Sequence, residues 1–108
     1  LTRLNRELFR LRAEILKALA HPTRLAIVDF LKAGEKCVCE IIEYLGEKQS
    51  NVSKHLSILR QTGIVDTRKD GLNVYYILKI PCVTSFFQCM DDILIKNLEE
   101  NMKVLGNN

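Results

Sequence analysis

The sequence predicts a mainly helical fold carrying one small β-hairpin, in the order ααααββα. Three observations predict it. Apolar residues recur at spacings of three and four through successive segments. The period drops to two between Ile64 and Leu78. Proline and glycine stand at the segment boundaries, where they stop one element and start the next.

The first helix is expected over residues 3–19, where Leu1, Leu4, Leu8, Leu11 and Ile15 make a heptad-like seam flanked by Arg3, Arg6, Arg10 and Arg12. Such a seam packs either on its own core or on a second chain. His21-Pro22 ends this helix and opens the next, since a proline at the first helical position gives up an N–H that would be unpaired anyway. Leu25, Val28 and Leu31 form its stripe, and Ala33-Gly34 stops it. A third helix covers about 38–45 with Val38, Ile41, Ile42 and Leu45 inward, closed by Gly46. A fourth covers about 50–62 on Val52, Leu56 and Leu59, ended by Gly63. Ile64–Arg68 and Val74–Leu78 read as two strands joined at Asp70-Gly71. Pro81 breaks the sheet pattern. The last helix spans about 82–104, with Phe87, Met90, Leu94, Leu98, Met102 and Leu105 on one stripe.

Composition bounds the function. A chain of 108 residues, 47% hydrophobic and 27% charged, is one globular domain over 1–108 with a thin core. A second copy is a common remedy at this size. No run approaches the roughly 18–20 apolar residues of a membrane span, and no charged-then-apolar leader opens the chain. Because it begins at Leu1 rather than Met, upstream residues are left open. The long helical patterns and few glycines read as cytoplasmic, so the four cysteines are taken as reduced thiols rather than staples of a secreted fold. The net charge of +3 is too small to carry a nucleic-acid reading by itself.

Its placement does carry one. Two short helices joined by a tight turn, followed by a basic hairpin, make a winged helix-turn-helix. The second helix of such a pair enters the major groove. Gln49, Ser50, Asn51, Ser53, Lys54 and His55 lie off the apolar stripe near the start of that helix. Gln and Asn can read adenine edges by paired hydrogen bonds, and Lys can meet guanine or phosphate. Arg68 and Lys69 near the hairpin tip suit phosphate or the minor groove. The expected partner is double-stranded DNA.

The run Gln49-Ser50-Asn51-Val52-Ser53-Lys54-His55-Leu56-Ser57-Ile58-Leu59-Arg60-Gln61-Thr62-Gly63-Ile64-Val65 resembles the recognition-helix signature of the ArsR/SmtB family of metal-sensing repressors. Leu19-Ala20-His21-Pro22-Thr23-Arg24 before it, and Arg68-Lys69-Asp70-Gly71 through Val74-Tyr75-Tyr76 after it, extend the likeness over nearly the whole chain. The resemblance implies five helices with a β-hairpin wing and a homodimer built from the first and last helices. It implies operator binding by the inducer-free form and release when an inducer binds. Ser53, Lys54 and His55 become the foremost DNA contacts.

Cys37-Val38-Cys39-Glu40 stands at the start of the third helix. In the family this motif marks sensors of thiophilic ions: arsenite or antimonite first, with cadmium, lead or zinc as alternatives. Soft thiolates select soft ions, and a helix N-terminus favours the thiolate. Residues two apart on a helix point roughly 200° apart. Both sulfurs can therefore reach one ion only if the first turn unwinds or Cys37 sits outside it. Ligation would then distort the helix that braces the recognition helix.

The best-known arsenite sensors of the family carry a third cysteine three residues on, where this chain has Ile42. Cys82 or Cys89 is the candidate third ligand. Lying seven residues apart on one face, roughly 10 Å along the axis, these two cannot share one ion or one disulfide. Their other reading is core filler near Phe86 and Phe87. Asp91 and Asp92 have no histidine near them for a last-helix zinc or nickel site of the family's other type.

The residues admit three further readings. Thiol oxidation or persulfide sensing keeps the fold and changes the signal. A protein-interaction module without DNA binding is an alternative of another class. A cysteine enzyme needs a base placed against a nucleophile, and no Gly-rich phosphate loop or substrate pocket is legible, so neither enzyme activity nor an organic cofactor is expected.

Overall fold

The computed structural model describes residues 1–106. Its elements run α1 (Arg3–Leu19), α2 (Pro22–Leu31), β1 (Lys36–Cys37), α3 (Val38–Leu45), α4 (Gln49–Gln61), β2 (Val65–Asp70), β3 (Asn73–Leu78) and α5 (Val83–Gly106). Helices and hairpin fall where the periodicity put them. The addition is β1, which makes the hairpin a three-stranded antiparallel sheet in the order β1-β3-β2. Two residues are too few to show a period, and a helix follows at once.

Caps explain the starts of the first three helices. Thr2 accepts the Asn5 N–H at 3.1 Å and opens α1. His21 opens α2, its Nδ1 accepting the Thr23 N–H at 3.1 Å, with Pro22 next. Cys37 opens α3. Gly46 ends that helix with φ of 65°, a conformation that costs glycine nothing.

Ile27, Val28 and Leu31 of α2, Ile41 of α3, and Val52, Leu56 and Leu59 of α4 form the buried centre. Ile64 and Val65 close it where α4 passes into the wing, and Ala18, Leu19 and Val83 cover its edge. Each such Leu, Ile or Val contributes about 1.5–3 kcal/mol over leaving it exposed. The sequence expected Leu25 in the α2 stripe; it packs from the rim, and Ile27 takes the interior.

The two long helices stand apart from this centre. Of α5 only Val83 is buried, and of α1 only Ala18 and Leu19. Phe87 of the expected α5 seam packs against the core, but the rest of the two seams faces mostly outward: Leu4 is 78% exposed, Leu94 64% and Leu105 74%. The radius of gyration, 17.5 Å, exceeds the roughly 13 Å of a compact chain this long. No helix among the described residues is long and apolar enough to cross a membrane.

Candidate nucleic-acid interface and thiol site

The α4 helix turns Val52, Leu56 and Leu59 into the core and leaves Gln49, Ser50, Asn51, Ser53 and Lys54 exposed. Lys48 precedes the helix with no side-chain cap, and no acidic residue occupies the first turn. The Asn51 and Val52 N–H groups bond back to the Lys48 carbonyl, so only the first N–H groups of the helix are left uncapped beside a row of polar side chains, an arrangement that suits phosphate and base edges.

His55 does not join that row. Its ring is half-buried, with its centroid 4.4 Å from that of His21. Its Nδ1 lies 3.2 Å from Nη1 of Arg24. Facing a guanidinium, Nδ1 accepts, so the neutral ring carries its proton on Nε2. Burial pushes its pKa down, and the neighbouring His21 and Arg24 push the same way. His55 thus stands at the edge of the row, half-buried and held by Arg24, while Ser53 and Lys54 are exposed. The signal was present in helical phase: His55 lies three residues after Val52 and four before Leu59, on the edge of the buried stripe. Sequence reasoning missed Arg24, which also donates from Nε to the Ala18 carbonyl at the end of α1.

The wing pairs Val65↔Leu78 through Asp70↔Asn73, so the connecting residues are Gly71-Leu72 rather than Asp70-Gly71. Gly71, with φ of 63°, still makes the turn, and Leu72 is fully exposed at the tip. Lys69 is exposed. Arg68, expected near the tip, sits further back opposite Tyr75. Its guanidinium lies 4.7 Å from the centroid of the Tyr75 ring. It binds Glu35 through two bonds, Nη2 to Oε1 at 2.6 Å and Nε to Oε2 at 3.2 Å. That pairing holds the Glu35 carboxyl below its ordinary range and raises the Arg68 pKa. Nothing in the sequence singled out Glu35, which lies 33 residues from its partner.

The thiol pair occupies the junction of wing and helix. Cys37 belongs to β1, registers with Tyr75 of β3, and is the N-cap of α3 with extended backbone (φ −74°, ψ 158°). The geometric objection to a shared ion is therefore removed, because Cys37 sits outside the helix. A reciprocal capping box holds it. The Cys37 N–H donates to Glu40 Oε1 at 3.1 Å, and its Sγ accepts the Glu40 N–H at 3.4 Å. The two Cα atoms are 5.4 Å apart and the sulfurs are joined as a disulfide. Reduced thiols were expected here, and the structure shows the bonded form. Cys37 is buried and Cys39 exposed.

Cys82 lies just before α5 and Cys89 within it; both are free and exposed. The reading of these two as core filler is therefore corrected. Neither is brought to the pair: among the described residues, no three of His, Cys, Asp and Glu gather as a metal site. The candidate third ligand is thus not assembled within one chain.

A helix pair with an exposed polar second helix, followed by a β-hairpin wing that carries Arg68 and Lys69, defines a winged helix-turn-helix DNA-binding transcriptional regulator. The model of the arsR family of bacterial regulatory proteins matches residues 21–67. An uncharacterised HTH-type transcriptional regulator of Methanocaldococcus jannaschii is 50% identical over 68 residues, covering 61% of this chain and 76% of its own. The arsenical resistance operon repressor of Staphylococcus aureus is 35% identical over 83 residues, 77% of this chain and 80% of the repressor. The solution structure of a homodimeric winged helix-turn-helix DNA-binding domain, Mb0332 from Mycobacterium bovis, aligns with a TM-score of 0.78 at 29% identity, over 93% of each chain. The chain belongs to the ArsR family. It is a winged-helix transcriptional repressor and not an enzyme.

Proposed function

We propose that the chain is a homodimeric repressor that leaves its operator when a thiophilic ion binds Cys37 and Cys39. The observation that carries this reading is the position of Cys37. Its sulfur caps α3, the helix that braces α4, so an ion drawing on that sulfur competes with the cap. Arsenite or antimonite is the favoured class, with cadmium, lead or zinc as alternatives, on the softness of thiolate ligands. The name of the S. aureus relative supports the same class. Two thiols fit two ligand positions; a third comes from Cys82 or Cys89, of the same chain or a second copy. Gln49, Ser50, Asn51, Ser53, Lys54 and Lys69 are the DNA-facing residues, with His55 and Arg68 behind them.

Dimer formation through α1 and α5 is supported by their outward apolar seams. It is also supported by an open, mainly apolar groove of about 450 Å³ between α2 and α5, where Leu25, Phe87, Met90 and Leu94 lie beside Asp29 and Asp91. A DNA-binding regulator of this kind acts in the cytoplasm.

The test is titration of arsenite against a complex of reduced protein and duplex DNA. Release by the native chain is expected, with none from the Cys37→Ser, Cys39→Ser double variant. Equal release from both would remove the ion reading. The bonded sulfurs favour a second reading in which the signal is oxidation. Two thiols then give up two electrons and two protons to a peroxide, forming the disulfide. DNA affinity unchanged between reduced and peroxide-treated protein would remove that one.

A further inference from the structure

We propose that Glu35 competes with DNA phosphate for Arg68, and that joining Cys37 to Cys39 favours Glu35 in that competition. The inference rests on the thiol-responsive, DNA-binding reading above. The geometry is a single cross-strand row. Cys37 of β1 registers with Tyr75 of β3, and Tyr75 registers with Arg68 of β2. The Arg68 guanidinium lies over the Tyr75 ring and is gripped by both carboxylate oxygens of Glu35, two residues before Cys37. A planar guanidinium held by a bidentate carboxylate has the same fork that would grip a phosphate. The two bonds to Glu35 therefore have to be released for Arg68 to serve DNA fully.

What keeps Glu35 in place is β1, and β1 is the weak part of the sheet. It holds β3 by two registered pairs, whereas β2 holds β3 by six. Its inner end is Cys37. When Cys37 and Cys39 are joined, by a shared ion or by the disulfide, the backbone at that end is fixed, β1 stays on β3, and Glu35 stays on Arg68. The structure shows both together: joined sulfurs and a closed Glu35–Arg68 pair. When the thiols are apart, the short strand can move and Arg68 can turn to phosphate. The pair is half-exposed, so its share of the response is modest, about two- to fivefold in DNA affinity.

The experiment uses the full chain and a duplex selected from a random pool by the reduced protein. Affinity is measured across a salt series for the reduced form and for the form oxidised with diamide. Diamide takes up the two electrons and two protons of the thiols, and mass spectrometry verifies the Cys37–Cys39 linkage. In the joined form, Glu35→Gln is expected to raise affinity about two- to fivefold. It should also steepen the salt dependence by about 0.9 in log–log slope, the signature of one more phosphate contact. Both changes should shrink in the reduced form and vanish when Arg68→Gln is present. The proposal is overturned if Glu35→Gln tightens binding equally with and without Arg68, which is simple loss of a negative charge near DNA. It is equally overturned if the gain is the same in joined and reduced protein. A parallel arm replaces diamide with arsenite. Failure of arsenite to release DNA, with the diamide arm behaving as expected, would sink the ion reading and leave the Glu35 competition standing.

Discussion

Arg24 and His55 meet with Nη1 3.2 Å from Nδ1, which joins α2 to α4 across 31 residues of sequence. The same guanidinium binds the Ala18 carbonyl at the end of α1. One side chain thus links the start of α2 to α1 and to α4. Thr23 adds a second tie, its hydroxyl donating to Glu47 Oε1 at 2.9 Å just before α4.

Removing this link should cost stability. Arg24→Ala leaves a part-buried carbonyl and an imidazole nitrogen without their charged donor, a loss of about 1.5–3 kcal/mol. Arg24→Lys should recover only part of it, because a single ammonium cannot reach both acceptors as a fork does. Denaturant unfolding at fixed protein concentration reads the difference. A midpoint for Arg24→Ala equal to that of the native chain would show that the link contributes nothing.

The same contact sets a pH dependence. Burial, then His21 and Arg24, hold the His55 pKa below its ordinary value; Lys54 adds to the fall and Glu47 opposes it. Unfolded, the ring takes up a proton below about pH 6.5. Folded, it resists until lower pH, so the unfolded state binds more protons and stability falls as pH drops below that point. Unfolding midpoints measured from pH 7.5 to 5.5 should decline for the native chain and decline less for His55→Gln. Parallel curves would remove His55 as the cause.

Much of this molecule could be read in its sequence, for a physical reason. In α4, Val52, Leu56 and Leu59 repeat at helical spacing and are fully buried, so periodicity and packing coincide. The hairpin was legible because a period of two and a glycine turn occur together. What escaped had no local signature. β1 is two residues long. Glu35 meets Arg68 only because β1 pairs with β3, a tertiary event. The turn slipped by one residue because Asp70 pairs with Asn73, which a Gly-containing tetrapeptide does not dictate. Periodicity also could not tell whether the α1 and α5 seams face their own core or another chain, since both give the same pattern.

The cap on α3 separates structural from chemical roles of Cys37. Its sulfur accepts the Glu40 N–H, as a serine hydroxyl would at that position. Cys37→Ser should therefore fold with stability close to that of the reduced native chain while losing the thiol response. Cys37→Ala should lose about 1 kcal/mol from the missing cap. Unfolding of the reduced proteins checks this. Equal stability for the Ser and Ala variants would mean that the sulfur caps nothing.

The outward seam of α5 makes the final prediction. Leu94 and Leu98 are each at least 60% exposed and take no part in the buried centre built on α2, α3 and α4. If they pack against a second copy, replacing both with glutamate removes apolar burial worth about 1.5–3 kcal/mol per side chain. Two-fold symmetry makes each change felt twice. The dimer dissociation constant should then rise by at least about 100-fold. Sedimentation equilibrium is expected to give two chains for the native protein and one for the double variant. Circular dichroism should keep the helical signal of the core. The variant should also bind duplex DNA more weakly, because two linked recognition helices bind with the gain of effective concentration and one does not. A native protein that sediments as a single chain, or a double variant that stays dimeric, would place the interface elsewhere.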